Sequence, residues 1–157
     1  MRDIGALRPA PMPALDVTLA LEDASPGEYR ALYSAVGRDW HWHDRLVVPD
    51  DELVAYFASP DVQLWVLRVH GDVAGYFELE RHADARVEIV YFGLLPAYFG
   101  KKLGGWMLTR AIEQAFAMRA SHVTLHTCTL DSPHALPNYL ARGFAIMGEE
   151  EYTVEPR

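Results

Sequence analysis

Three stretches of the chain carry residues whose types and spacing could do chemistry. The first is Leu94-Leu95-Pro96-Ala97-Tyr98-Phe99-Gly100-Lys101-Lys102-Leu103-Gly104-Gly105, a strand-like segment running through a glycine-rich loop into an amphipathic helical pattern. Glycines let backbone N–H groups approach a ligand, and a helix N-terminus presents the positive end of its dipole. Three or four such N–H groups suit a pyrophosphate. The only two lysines of the chain, Lys101 and Lys102, stand in this loop. The second stretch is Trp40-His41-Trp42-His43-Asp44. Aromatic faces hold cations and imidazoles relay protons; the same residues also suit a plain connection with two buried tryptophans. No ligand-spaced Cys or His set completes a metal site around His41 and His43, so no metal is expected. The third is Glu88. Val87, Ile89 and Tyr91 alternate with Glu88, Val90 and Phe92, which places one carboxylate on a largely apolar strand face.

Two further groups are weaker. His122 and His126 fall on one face of a strand expected over 121–128, with His126 nearer its end. Cys128 is the lone cysteine, which rules out a disulfide scaffold; it is expected to be a buried, inert thiol.

The elements that must position these residues can be read from pattern. Residues 1–14, with Pro9, Pro11 and Pro13, read as an extended arm. Residues 15–21 read as a strand. Ser25-Pro26-Gly27-Glu28 starts a helix, with a capping serine, a proline at the first position and a glutamate to close a capping box. Tyr29, Leu32, Tyr33 and Val36 follow at helical spacing, and Gly37 stops it. A short helix begins near Asp50 and ends at Ser59-Pro60. Strands are expected over 62–69, 73–81 and 86–95, joined by tight turns into an antiparallel meander. A helix over 100–119 carries Leu108, Ile112, Ala115 and Phe116 on one stripe. A short helix opened by Ser132-Pro133 and closed by Gly143 comes next, then strands at 144–147 and 152–154. One mixed α/β (α+β) domain over 15–157 accommodates this order, its central sheet of six or seven strands flanked by about four helices.

Composition narrows the class. The chain has 157 residues, half of them hydrophobic, which fits one packed domain and excludes global disorder. With 22 acidic against 14 basic residues the formal charge is -8, an argument against nucleic acid and in favour of cationic substrates. No apolar run reaches the roughly 18 residues of a membrane span, and no signal peptide is evident, so a cytoplasmic protein without membrane contact is expected.

Downstream of the glycine-rich loop stands Ala135-Leu-Pro-Asn-Tyr139-Leu-Ala-Arg-Gly143-Phe144. The two segments together resemble the GNAT superfamily of acyl-CoA-dependent N-acetyltransferases. The first resembles its strand, proline and Arg/Gln-Gly-x-Gly-x-Gly/Ala pyrophosphate loop; the second resembles its Ala-x-x-x-Tyr-x-x-x-Gly-Phe helix. The resemblance covers roughly residues 86–144. Phe99 stands where the loop usually has Arg or Gln. Lys102 stands where its middle Gly is usual, so either the loop is strained there or the ammonium replaces the missing guanidinium. Ser132 takes a position where Asn is common.

The resemblance implies acetyl-CoA as cofactor, held in a gap between the ends of the 86–95 and 121–128 strands. Its pyrophosphate would lie on Phe99, Gly100, Lys101, Lys102, Leu103, Gly104 and Gly105, with Ser132 alongside. The N–H of Leu94 or Leu95 would polarise the thioester carbonyl. Direct attack by a primary amine in a ternary complex is implied, with Glu88 accepting the proton and Tyr139 protonating the leaving thiolate. Glu-Ile-Val-aromatic at residues 88–91 resembles the surroundings of the base in some members. Trp40, Trp42 and His126 would line the acceptor pocket, for a small-molecule or peptide amine. A homodimer is compatible with the family. The alternative, from a different class, is a non-catalytic acyl-CoA-binding sensing or interaction module.

Overall fold

The computed structural model describes residues 1–128 and 130–149. Ser25 Oγ accepts the N–H of Glu28 at 3.2 Å and Pro26 opens helix α1 (Pro26–Gly37), as the capping sequence predicts. Before it lies strand β1 (Val17–Leu21); after it come helix α2 (Asp50–Ala58) and the meander β2 (Val62–Val69), β3 (Asp72–Arg81) and β4 (Arg86–Leu94). Helix α3 (Leu103–Ala117), strand β5 (His122–Leu125) and helix α4 (Ala135–Ala141) complete the order. The sheet runs β1-β2-β3-β4-β5, antiparallel except for the parallel β4–β5 pair.

The sheet is covered on both faces, which gives two cores. On one face α3 buries Leu103, Met107, Leu108, Ala111, Ile112 and Ala115 against Phe77, Leu79, Val87 and Ile89. On the other, Tyr29, Tyr33 and Val36 of α1 and Leu53 of α2 pack on Leu64, Val66 and Tyr76. A strand buried on both faces cannot advertise its orientation by alternation, and β3 is buried at six consecutive residues, 74–79.

Several boundaries differ from the sequence expectation, each for a local reason. The helix expected from residue 100 begins at Leu103, because Lys102 is left-handed at φ 62°. The strand expected over 121–128 ends at Leu125. The Asp131 carboxylate accepts from Thr127 Oγ1 at 2.9 Å and from the Cys128 N–H at 3.0 Å, drawing that backbone into a turn. Cys128 is exposed there, not buried. The helix expected from Ser132 begins at Ala135, since Ser132 Oγ first accepts the His134 N–H at 3.3 Å. Residues 144–147 are not a strand, and residues 152–154 lie outside those described. The sheet therefore has five strands among the described residues, not six or seven.

The proline-rich arm is docked along the body. It makes a short 3₁₀ turn at Ile4–Ala6. The Val123 N–H donates to Met1 O at 2.7 Å, the Arg8 N–H to Arg142 O at 2.9 Å, and the Ala10 N–H to Thr109 Oγ1 at 2.9 Å. No helix among the described residues is long and apolar enough to cross a membrane.

Candidate active site

The β4–β5 ladder holds only from Arg86↔His122 to Ile89↔Leu125. Beyond it β4 continues to Leu94 with no partner at that edge among the described residues. A β-bulge marks the same point. Leu79 faces Ile89 and Glu78 faces Tyr91, so Val90 is the extra residue. The bulge inverts the faces. Val87 and Ile89, then Phe92 and Leu94, pack on the α3 side, whereas Tyr91 and Leu95 pack on the α1 side. Glu88 alternates with Val87 and Ile89 and so lies on the α1 side with Tyr91. The expected company of Glu88 with Phe92 is corrected by this one inserted residue.

Backbone donors follow the ladder. The Leu95 N–H donates to Ala74 O at 2.8 Å, so it is spent on β3. Antiparallel donors alternate between the two edges. With Gly75↔Leu94 and Phe77↔Phe92 as the intervening pairs, the N–H groups of Leu94 and Phe92 point to the unpaired edge. Of the two donors expected from the sequence only Leu94 faces the gap; Phe92 joins it, a donor that needs the bulge to be seen.

At the far end of this edge Pro96–Tyr98 forms a 3₁₀ turn, and Gly100 and Lys102 take φ values of 75° and 62° before α3 starts. A left-handed lysine costs about 1–2 kcal/mol, so the strain expected at Lys102 is present. Lys101 and Lys102 are both exposed. Leu103 is buried in the core and contributes its backbone alone to the loop. Asn138 Nδ2 donates to Gly104 O at 3.2 Å, tying α4 to the first turn of α3. The Phe99 N–H is taken by Pro96 O at 3.2 Å, so the donors left to the loop begin at Gly100; with two left-handed residues and two exposed ammonium groups they fit a pyrophosphate. Ser132 Oγ is engaged with His134 in the turn before α4.

Tyr139 projects from α4 and is 7% exposed. Its ring meets Phe92 edge-on at 6.2 Å and Phe144 at 6.5 Å. Burial, reinforced by Asp131, pushes its phenol above the ordinary value. Glu88 is half-buried. Its Oε1 lies 3.0 Å from His82 Nε2 and 3.6 Å from Arg86 Nη1. Glu80, His82 and Glu88 bring ligand-type atoms within 4.8 Å of one another, although the Arg86 guanidinium opposes a cation there.

The Trp40–Asp44 loop splits in role. Trp42 is seated on Gly37, where a Cβ would come within 2.5 Å of its ring. It packs on Tyr91 at 5.0 Å and Tyr33 at 5.5 Å. Trp40 reaches Phe99 at 6.3 Å, joining this loop to the glycine-rich one. His126 is exposed one residue past the end of β5.

The structure adds residues that the sequence reading missed. Glu78 is fully buried. Its Oε1 accepts from Tyr29 OH at 2.6 Å, and its Oε2 from Tyr56 OH and Arg45 Nη2, both at 2.7 Å. Burial pushes its carboxyl up; Arg45 and the two hydroxyls pull it back. The sequence signal was an acid inside the otherwise apolar run 73–79, but its partners lie 22 to 49 residues away.

Comparison with known proteins agrees with this architecture. The model of the acetyltransferase (GNAT) family matches residues 29–144. No curated protein matches the chain. Among solved structures, an aminoglycoside acetyltransferase from an uncultured soil metagenomic sample is similar at TM-score 0.69 and 9% identity, over 89% of this chain and 97% of that one. A GNAT family acetyltransferase from Elizabethkingia anophelis with acetyl-CoA bound is similar at TM-score 0.64 and 16% identity, over 85% and 78%. A nourseothricin acetyltransferase is similar at TM-score 0.60 and 20% identity, over 85% of each. These identities speak for the fold; the family model spans most of the chain, and the chain belongs to the acetyltransferase (GNAT) family.

Proposed function

We propose that the protein transfers an acetyl group from acetyl-CoA to a cationic primary amine by direct attack. The observation that carries this reading is the unpaired edge of β4 past Ile89, with the N–H groups of Phe92 and Leu94 facing it. Acetyl-CoA supplies an activated thioester. The 99–105 loop would hold its pyrophosphate, and the Leu94 and Phe92 N–H groups would take up negative charge on the carbonyl oxygen, a role that needs no side chain. Tyr139, kept protonated by burial, is suited to give a proton to the departing sulfur. An alkylammonium must lose a proton before it attacks. Glu88 stands one ladder pair before the edge opens, on the face shared with Tyr91, and is suited to accept it. Cys128 has no part in this scheme.

Support for a cationic acceptor comes from Glu78, Glu80 and Glu88 on one face of the sheet and from the chain's acidic balance. Two of the similar structures are acetyltransferases named for aminoglycoside and nourseothricin, which agrees with a small-molecule acceptor. Release of free thiol from acetyl-CoA across a panel of amines tests the reading. Amine-dependent release supports it. Tight binding of acetyl-CoA with no release on a broad panel would instead mark a non-catalytic acyl-CoA-binding module.

A further inference from the structure

Arg45 occupies a cage that other elements build. Its guanidinium lies 4.4 Å from the ring centre of Tyr56 and 5.4 Å from that of Tyr91, with Nη2 at 2.7 Å from Glu78 Oε2. Two aromatic faces and a carboxylate are a recognition set for an organic cation. The walls come from α2, β3 and β4, and Tyr29 of α1 braces Glu78 from behind. The occupant comes from the 3₁₀ turn Asp44–Val47, whose residues Asp44, Leu46 and Val47 are exposed. The cage is thus set by the packed body, and the cation by a surface turn.

The position of the cage connects it to the chemistry. Glu78 faces Tyr91 across the bulge, next to Phe92, whose N–H faces the open edge. Two ladder pairs along, on the same face, the Tyr76 hydroxyl is buried and has no hydrogen-bond partner among the described residues.

We propose that Glu78, Tyr56 and Tyr91 form a cation-recognition subsite of the acceptor pocket, closed by Arg45 until the acceptor's own ammonium or guanidinium group replaces it. The proposal rests on the acetyltransferase reading for its acceptor role. Glu78 is fully buried, so its ionised form is held by a positive partner, whichever molecule provides it. A second cationic group on the acceptor then positions the reacting amine.

Calorimetric titration with ethylguanidinium chloride, the head group of arginine itself, tests the subsite without turnover. The Arg45→Ala variant should bind it in a saturable one-to-one manner, at least about tenfold tighter than the wild type, in which Arg45 competes. Adding Glu78→Gln should abolish the binding. Arg45→Met, which keeps a stem for Tyr56, serves if the alanine variant does not fold. A folded variant that binds no ethylguanidinium overturns the proposal. In steady state on the Arg45 variant, ethylguanidinium should compete with the amine and leave the KM of acetyl-CoA unchanged. Inhibition that is not competitive with the amine overturns the acceptor role. If no amine releases thiol, the acetyltransferase reading fails, while the calorimetry still decides the subsite.

Discussion

The ring of Tyr139 stands edge-on to that of Phe92, at 6.2 Å and 74°, so the helix after β5 touches β4 where the ladder has opened. One residue of this pair would offer its backbone N–H to the gap and the other its phenol. The contact holds the Tyr139 ring against the part of β4 that follows the bulge at Val90.

Tyr139→Phe should therefore lower kcat by about 10²–10⁴-fold, the range for losing a positioned acid. The dissociation constant of acetyl-CoA should stay within about threefold, since packing on Phe92 and Phe144 is kept. Burial raises the phenol, so it remains a proton donor throughout the neutral range. The pH–rate profile should show no falling limb from Tyr139 below about pH 10. Equal kcat in the two proteins removes Tyr139 from the chemistry.

Glu88→Gln should lower kcat by a similar factor and leave acetyl-CoA binding unchanged, because Glu88 lies on the face opposite α3. Titration calorimetry with acetyl-CoA beside steady-state kinetics separates the two. A loss confined to KM for the amine would make Glu88 a binding group rather than the proton acceptor.

Arg45→Met should destabilise the protein by about 3–5 kcal/mol near pH 7, as expected for a buried charge left alone. The sign with pH follows from Glu78. Burial already raises its carboxyl, and loss of Arg45 removes the main counter-charge that lowers it. The folded variant therefore binds a proton more tightly than the unfolded chain. Its stability relative to the wild type should recover as pH falls towards 5 and worsen towards 8. Urea unfolding at both pH values checks this; a pH-independent deficit would contradict it.

Much of this architecture is legible in the sequence. The start of α1 follows from Ser25, Pro26 and Glu28, and the meander from its turns. The loop at Gly100 and the helix with Tyr139 are legible as a pair of motifs. The bulge at Val90 is not, because Val-Glu-Ile-Val-Tyr-Phe alternates smoothly and nothing local says where the register slips. The burial of Glu78 depends on Tyr29, Tyr56 and Arg45, which reach it only once α1 and α2 have covered the sheet. The exposure of Cys128 depends likewise on Asp131 capturing the backbone after β5.

Gly100 and Lys102 offer a paired test of the loop. Gly100→Ala meets no side chain but must hold φ at 75°, a strain of about 1–2 kcal/mol. It should weaken acetyl-CoA by about tenfold as the N–H groups are re-aimed. Lys102→Gly relieves the same strain and removes one exposed charge, so affinity should change by less than about tenfold. Calorimetry with acetyl-CoA at two salt concentrations checks both. A larger loss for Lys102→Gly than for Gly100→Ala would make the ammonium, not the backbone, the main phosphate ligand.

The most direct measurement quantifies free CoA and acetylated amine together, by mass spectrometry, from acetyl-CoA and an amine panel with wild-type, Glu88→Gln and Tyr139→Phe proteins. The wild type should form equal amounts of the two products with at least one cationic amine, and each variant strongly reduced amounts of both. Acetyl-CoA bound by the wild type, with neither product formed from any amine, would contradict acetyl transfer.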